Sequence, residues 1–330
     1  MRGAAPPIIF HMSTLNEPDR AQWRYPRVLS IAGSDSGGGA GIQADLKTFS
    51  ALGCYGMTAI TAITAQNTLG VSAIHGVPAD ILKAQICAVM DDIGADALKI
   101  GMLHSAEVVR VVAWAIDTYR IQHVVLDPVM VSTSGHRLIQ RDTAQVLVSE
   151  LFPRASLVTP NLDEAALLLG RSIASEDELD AAATDLLALG AAGVLLKGGH
   201  LPGDEVVDLL ALQGGLRLRL HSPRIDSRNV HGTGCTLSSA IAAHLALGRE
   251  LPQAVSEARG YILQAIASGA NVRTGSGHGP LNHAHAPLPM RLLPARYLQL
   301  QRCRLILATA SAARFIWDFA AQASSVAKKK

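Results

Sequence analysis

The densest concentration of chemically useful residues is Asn229-Val230-His231-Gly232-Thr233-Gly234-Cys235-Thr236, which runs into the apolar stretch Leu237–His244. Two glycines around Thr233 free the backbone to turn sharply and present consecutive N–H groups. The helix that follows adds its unpaired amide donors and the positive end of its dipole. Together these make an anion hole. Cys235 lies inside it, where the same field favours a thiolate. Such a loop could hold a transferring phosphate with a base beside it. The same small residues also serve a helix that merely starts close to a sheet, and the loop alone does not separate the readings.

Further polar residues recur at one kind of place, just past short apolar runs. Gln66-Asn67-Thr68 follows Tyr55–Ile63, and the Gln66 amide carries the donor and acceptor that suit a heterocycle edge. By position alone it also reads as a turn residue satisfying backbone. Asp127 follows Val124-Val125-Leu126, where it suits a metal or phosphate, or merely ends the strand before Pro128. Asn161 and Glu164 follow Leu157–Thr159 with the spacing of a capping box, which needs no function. Lys197 ends Gly193–Lys197, where an ammonium meets a nucleotide phosphate as a point charge. Ser175 and Glu178 form a second capping box that follows a helix, so it reads as structural only.

The elements that must position these residues alternate. Val28–Ala32 reads as a buried strand, and Ile42, Leu46, Phe49 and Leu52 mark a helix. Helices are expected at Pro78–Asp92, Ser105–Thr118 and Asp142–Leu151, with a strand at Ala97–Ile100. Glu205–Leu212 and Leu216–His221 read as a hairpin around Gly214-Gly215, followed by a helix to about Leu247 and another over Pro252–Ser268. Strands alternating with helices predict one α/β domain with a central, mostly parallel sheet flanked by helices on both faces. In such sheets ligands bind at the carboxyl ends of strands, where Gln66, Asp127, Asn161 and Lys197 fall.

Composition narrows the classes. The chain has 330 residues, 49% hydrophobic and 17% charged, so a large core is within reach. A formal net charge of +2 predicts no extended nucleic-acid surface. Four scattered cysteines show no zinc spacing and predict no disulfide, which fits a reducing cytoplasm. Residues 1–27, with several prolines and only Ile8-Ile9-Phe10 as an apolar run, read as a disordered leader. Residues 281–330 read as a linker and a tail with helical character. Within the tail, Leu305–Ala321 is too short and carries Arg314 and Asp318, so no membrane span is expected.

The glycine loop Gly33–Gly41 lacks the Gly-Lys-Ser/Thr ending of a Walker A loop. Gly39-Ala40-Gly41-Ile42-Gln43-Ala44 does fit the dinucleotide fingerprint in its G-x-G-x-x-A form. The strand that follows ends in Gln66-Asn67 rather than in an acid for a ribose, which argues against a dinucleotide oxidoreductase.

Taken in order, the glycine loop, Asp127, Asn161-x-x-Glu164, Lys197-Gly198-Gly199-His200 and Gly232-Thr233-Gly234-Cys235 resemble the ribokinase-like superfamily. The wording of Ala32–Thr48, Gly56–Thr61, Gln66-Asn67-Thr68, Asp127–Met130 and His231–Thr236 is similar to the bacterial hydroxymethylpyrimidine/phosphomethylpyrimidine kinases of thiamine biosynthesis. The resemblance covers about Val28 to Pro280, the expected kinase domain. It implies a homodimeric, cytoplasmic phosphotransferase. Such an enzyme uses ATP and Mg²⁺ to phosphorylate the pyrimidine alcohol and then its monophosphate.

The resemblance also implies roles. Cys235 would be the base toward the substrate hydroxyl, and Gly232, Thr233 and Gly234 would hold the transferring phosphate. Gln66 would read the aminopyrimidine edge in a pocket lined by Gly33, Asp35, Ala40, Met102 and Val129. Asp127 and Glu164 would organise Mg²⁺ through water, with Asn161 and Lys197 at the nucleotide. Two departures stand out. Val230 replaces an expected Thr, and Ser132-Thr133-Ser134-Gly135 lacks an expected Lys, each weakening a nucleotide or phosphate contact. A pyridoxal kinase of the same fold is the alternative enzyme, and a binding module without catalysis the alternative outside enzymes. Retention of Asp127, Glu164, Lys197 and Cys235 argues against the latter.

Overall fold

In the computed structural model, residues 23–130 and 141–294 are described. Residues 1–22 of the expected leader, the departure at 132–135 and the tail from residue 295 lie outside them; the last residues of that leader, 23–27, are not disordered, since Trp23–Arg24 is a strand and Arg27 begins the next. Contacts divide the chain into two units. The described part of the smaller one is a strand pair, β1 (Trp23–Arg24) with β12 (Leu293–Pro294). Residues 25–291 form the other.

That larger unit begins with β2 (Arg27–Ala32), α1 (Gly41–Ala51) and β3 (Tyr55–Ile60), then β4 (Ala62–Asn67) and β5 (Gly70–Gly76). It continues through α2 (Ala79–Asp92), β6 (Ala97–Ile100), α3 (Ala106–Tyr119), β7 (Val124–Leu126), α4 (Arg141–Leu151) and β8 (Leu157–Val158). Next come α5 (Leu162–Leu169), α6 (Leu179–Ala188), β9 (Gly193–Leu196), β10 (Glu205–Leu212) and β11 (Arg217–Pro223). The last helices are α7 (Thr233–Ala246) and α8 (Leu251–Gly269). Eight strands form one sheet in the order β11-β10-β9-β8-β7-β6-β2-β3. The six from β9 to β3 run parallel, and the β10–β11 hairpin closes one edge antiparallel.

The sheet is apolar on both faces because side chains alternate along each strand and helices cover both sides. Val28, Ala97, Val125 and Leu195 pack under α1, α7 and α8. Their neighbours Leu29, Leu98, Leu126 and Leu196 pack under the helices α2 to α6. The expected α/β architecture, with a mostly parallel sheet flanked by helices on both faces, is the one observed.

Two expectations are corrected. Tyr55–Ile63 is not one strand. The chain leaves the main sheet at Thr61, and β4 pairs instead with the unforeseen β5 as a separate two-stranded sheet. Thr61 is held at the break by three hydrogen bonds, its N–H to Ala32, its hydroxyl to Met102 and its carbonyl to Val77. Residues 281–285 are not a free linker either. Leu281 and His283 are buried, and Tyr261 on α8 donates to the His283 carbonyl at 2.6 Å. Burial pushes the His283 imidazole down to about 4, so it is neutral, and it accepts from Thr236 on α7 at 3.0 Å.

Candidate active site

The carboxyl ends of β2, β6, β7, β8 and β9 open into one cavity of about 1140 Å³, bordered by the start of α7. That volume is slightly above the range of about 300–1,000 Å³ usual for a single small-molecule site and has room for two ligands. Every residue proposed for the site from sequence lines it: Gly33, Asp35, Ala40, Gln66, Met102, Asp127, Val129, Asn161, Glu164, Lys197, Gly232, Thr233, Gly234 and Cys235.

One end of the cavity is built by two helix starts, those of α1 and α7. Gly232 caps α7 in the left-handed region at φ 85°, and a Cβ there would lie 1.9 Å from the Gly39 carbonyl oxygen. Only glycine combines that backbone with that approach. Gly41 opens α1 at φ 55°, also with no room for a side chain. Its N–H acts on the Cys235 thiol, favouring the thiolate, so the thiol lies close to the N-termini of both helices. The first pairing inside α7 is Thr236 N–H to the Gly232 carbonyl, so the amides of Gly234 and Cys235 precede the helix's own hydrogen bonds.

Here the structure departs from the expected thiolate. Burial pushes the Cys235 thiol up to about 11, with Lys99 working in the opposite direction and Asp45 and Asp127 adding to the rise. The thiol is therefore neutral at physiological pH, because desolvation outweighs the helix field.

Val230 contributes through its backbone. Its carbonyl accepts from Thr233 N–H at 3.2 Å and from Thr233 Oγ1 at 2.7 Å, so the missing hydroxyl at position 230 leaves the turn intact.

Next to the loop stands a charge cluster. Lys197 Nζ lies 3.0 Å from Asp127 Oδ1 and 4.0 Å from Glu164 Oε2. A Cβ on Gly234 would lie 3.1 Å from Lys197 Nζ and 3.4 Å from Asp127 Oδ2, so the cluster touches the Gly232–Cys235 loop directly. Burial works against the Lys197 charge, and the two carboxylates more than offset it, holding the ammonium above its ordinary value. Thr159 donates to the same Asp127 oxygen at 3.1 Å. Glu164 is pushed up to about 7, chiefly by burial, against the pull of Lys197.

Asn161 and Glu164 form the expected capping box, each side chain accepting the other's backbone N–H at 2.8 Å. The Asn161 carbonyl oxygen of the side chain is thus occupied by the helix. Among the described residues no group of three or more His, Cys, Asp or Glu side chains is arranged to hold a metal. Asp127 and Glu164 still fit Mg²⁺, an ion that binds by one or two carboxylates and completes its shell with water and phosphate oxygens.

At the opposite end Gly33 and Met102 form a floor, a Cβ on Gly33 meeting Met102 Cε at 2.8 Å. Asp35 lies at this end but does not offer its carboxylate to a ligand. Oδ1 accepts from Gly37 N–H, and Oδ2 accepts from Gly39 N–H, Ala40 N–H and His231 Nε2 at 2.9 Å. Gln66 Nε2 stands 3.3 Å from the same His231 nitrogen.

Sequence reading missed several residues that organise the site. Lys99 on β6 and Asp45 on α1 are fully buried and paired at 2.8 Å, with Ser30 and Ser239 also donating to Asp45. A lysine inside the apolar run Ala97–Ile100 was the available signal. Asp208 on β10 accepts from Gly198 N–H and pairs with Arg259 of α8 at 2.7 Å, fixing the turn after Lys197. Asn229 Nδ2 donates to the carbonyl of Gly269, which ends α8, at 2.7 Å, and to that of Val272 just beyond it.

The profile of the phosphomethylpyrimidine kinase family matches residues 35–282. The chain is 52% identical over 258 residues to a hydroxymethylpyrimidine/phosphomethylpyrimidine kinase of Rhizobium meliloti, covering 78% of this chain and 96% of that one. Among solved structures it is similar to a phosphomethylpyrimidine kinase of Clostridium difficile, at 44% identity and TM-score 0.65, covering 73% of this chain and 99% of the other. A pyridoxal kinase of Bacillus subtilis in complex with ADP gives 38% identity and TM-score 0.74, covering 79% and 98%.

Proposed function

The chain belongs to the phosphomethylpyrimidine kinase family, and on that premise we propose the division of labour by which it acts. It is an ATP-dependent phosphotransferase of thiamine biosynthesis. It phosphorylates 4-amino-5-hydroxymethyl-2-methylpyrimidine and then carries the monophosphate to the diphosphate. The observation that supports the assignment of roles is the convergence, in one cavity, of the Gln66 amide, the Gly232–Cys235 loop and the Asp127–Lys197–Glu164 cluster.

The pyrimidine ring lies over Gly33 and Met102 with its edge toward Gln66, which directs the hydroxymethyl group to Cys235. The amides of Gly234 and Cys235 hold the transferring phosphoryl group where its charge is spread. Lys197 neutralises the oxygens on the nucleotide side. Asp127 and Glu164 would hold Mg²⁺ through water, and when bound the ion neutralises charge on the nucleotide phosphates. Cys235 keeps its proton at the start and receives no ground-state negative charge. Proton movement from the substrate hydroxyl therefore comes late, onto an oxygen of the transferred phosphoryl group, as a loose phosphoryl transfer allows. The second reaction uses the same loop, with the monophosphate as acceptor.

The proposed kinase domain spans about residues 28–280, with 281–291 packed on it and the flanking segments outside. We place the enzyme in the cytoplasm. Among the described residues no helix is long and apolar enough to cross a membrane. A homodimer is supported by the β4–β5 sheet, which leaves Ile63, Leu69 and Ile74 exposed.

The test is incubation with Mg-ATP and the hydroxymethylpyrimidine, following mono- and diphosphate separately, beside pyridoxal. Both pyrimidine products are expected. Phosphorylation of pyridoxal alone would replace this substrate with the pyridoxal of the structural neighbour.

A further inference from the structure

Among the described residues four Lys and Arg side chains border the cavity, and three of them belong to one side of it. Lys197 follows β9 and is paired with Asp127 and Glu164. Arg224 follows β11 and donates to the carbonyls of Gly199, Leu201 and Gly203, in the turn after β9. Arg259 is held by Asp208 and Ser222 of the β10–β11 hairpin. Lys99 is the exception. It stands on β6, three strands away from β9. A Cβ on Gly101 would lie 3.0 Å from Lys99 Nζ and 2.9 Å from the Ala32 Cβ. Gly101 and Ala32 lead directly into Met102 and Gly33, the floor at the pyrimidine end.

The surroundings of Lys99 are lopsided. Asp45 accepts from the ammonium at 2.8 and 2.9 Å, from Ser30 at 2.6 Å and from Ser239 at 2.7 Å. The carboxylate is thus satisfied from three directions. The ammonium has three N–H donors, and Asp45 is its sole hydrogen-bond acceptor among the described residues. The pair also has a direction. At Cys235 the pull of the ammonium outweighs the opposing push of Asp45, so the positive end faces the Gly232–Cys235 loop. Apolar residues of similar volume would hold the core as well as this pair does. Its charge therefore points to a task beyond packing.

We propose that Lys99 is a positioning residue for the second phosphorylation, its buried ammonium balancing the phosphate that the acceptor then carries. The proposal rests on the substrate assigned above. In the first transfer the acceptor is an uncharged alcohol and needs no cation of its own. In the second it is a phosphate monoester with a charge of about −1.5 to −2 at pH 7. An oxygen of that phosphate bonds to the terminal phosphorus of ATP while the bond to ADP breaks, and ADP leaves with the electron pair. The dianion has no proton to lose, so Cys235 has none to handle. The difficulty of this step is repulsion between two phosphates. Lys197 serves the nucleotide's oxygens, and Lys99 faces the acceptor's. Being wholly buried, Lys99 acts through its field and not by contact, in surroundings that screen it little.

The experiment uses the full chain with Mg-ATP and measures kcat/KM separately for the pyrimidine alcohol and for its monophosphate. In Lys99→Met/Asp45→Leu the monophosphate step is expected to fall at least about tenfold further than the alcohol step, the size of one interaction with a charged group. Lys99→Gln keeps a donor toward Asp45 without the charge. It should give the same split, and it decides the matter if the double variant does not fold. Calorimetry without nucleotide adds a binding readout. The wild type should favour the monophosphate over the alcohol, Lys197→Met should keep that preference, and Lys99→Gln should lose it. Equal losses in both steps would make the pair merely structural and overturn the inference. So would a preference that vanishes in Lys197→Met and survives in Lys99→Gln. If the wild type phosphorylates neither pyrimidine, the assigned substrate falls and this inference with it.

Discussion

Lys99 Nζ lies 2.8 Å from Asp45 Oδ1, and both side chains are wholly buried. Asp45 also accepts from Ser239, one helical turn after Cys235, so the pair joins β6 and α1 to the first turns of α7. Lys99→Met would strand the carboxylate in the core. A loss of about 3–5 kcal/mol is expected in denaturant unfolding. The double variant Lys99→Met/Asp45→Leu should recover most of it, because no buried charge is then left unpaired.

Cys235 is expected to behave as a neutral thiol. With the group pushed up to about 11, iodoacetamide should react about a hundredfold more slowly at pH 8 than with an exposed cysteine, whose thiolate fraction is far larger. The rate profile should show no thiolate titration between pH 6 and 9. Cys235→Ala should lower kcat by less than about a hundredfold, below the range of a group that handles a proton, with little change in the pyrimidine KM. A rise in kcat tracking a Cys titration near pH 7 would contradict the burial argument.

Glu164 gives the unliganded protein a pH dependence of definite sign. Its folded value, pushed up to about 7, lies above its unfolded value of 4.5, so folding favours the protonated acid. The associated stability is full below about pH 4.5 and is lost as pH rises toward 7, an effect on the order of a few kcal/mol. Glu164→Gln should flatten that slope in unfolding curves taken across this range.

Gly232→Ala should be severe for activity. At φ 85° an added Cβ meets the Gly39 carbonyl oxygen, and the left-handed backbone costs about 1–3 kcal/mol. The helix start must shift. A fall in kcat of at least about a hundredfold is expected from displaced phosphate donors, with circular dichroism unchanged.

The buried strands were legible because parallel strands covered on both faces read as short apolar runs. The site ends of those strands were legible for the same reason, since Asp127 and Lys197 interrupt such runs. The break at Thr61 was not, because Tyr55–Ile63 is rich in strand-forming residues throughout, with no Pro or Gly after Gly56 to mark it, and only tertiary hydrogen bonds divide it. The state of Cys235 was read from its local field alone. The burial that reverses it arises when α1, β6 and α7 close together. Asp35 was read as a pocket residue, yet its carboxylate is consumed by three amides and His231, a pairing across 196 positions that spacing cannot show.

The close approach of Gly232 to Gly39 has a kinetic meaning. Where backbone meets backbone with no side chain between, neither loop can shift without the other, and the Asp35–His231 contact ties them a second time. On the roles proposed above, acceptor site and phosphate cradle would then travel as one rigid body. The line from substrate oxygen to phosphorus would be set by backbone contact alone, whatever occupies the nucleotide side.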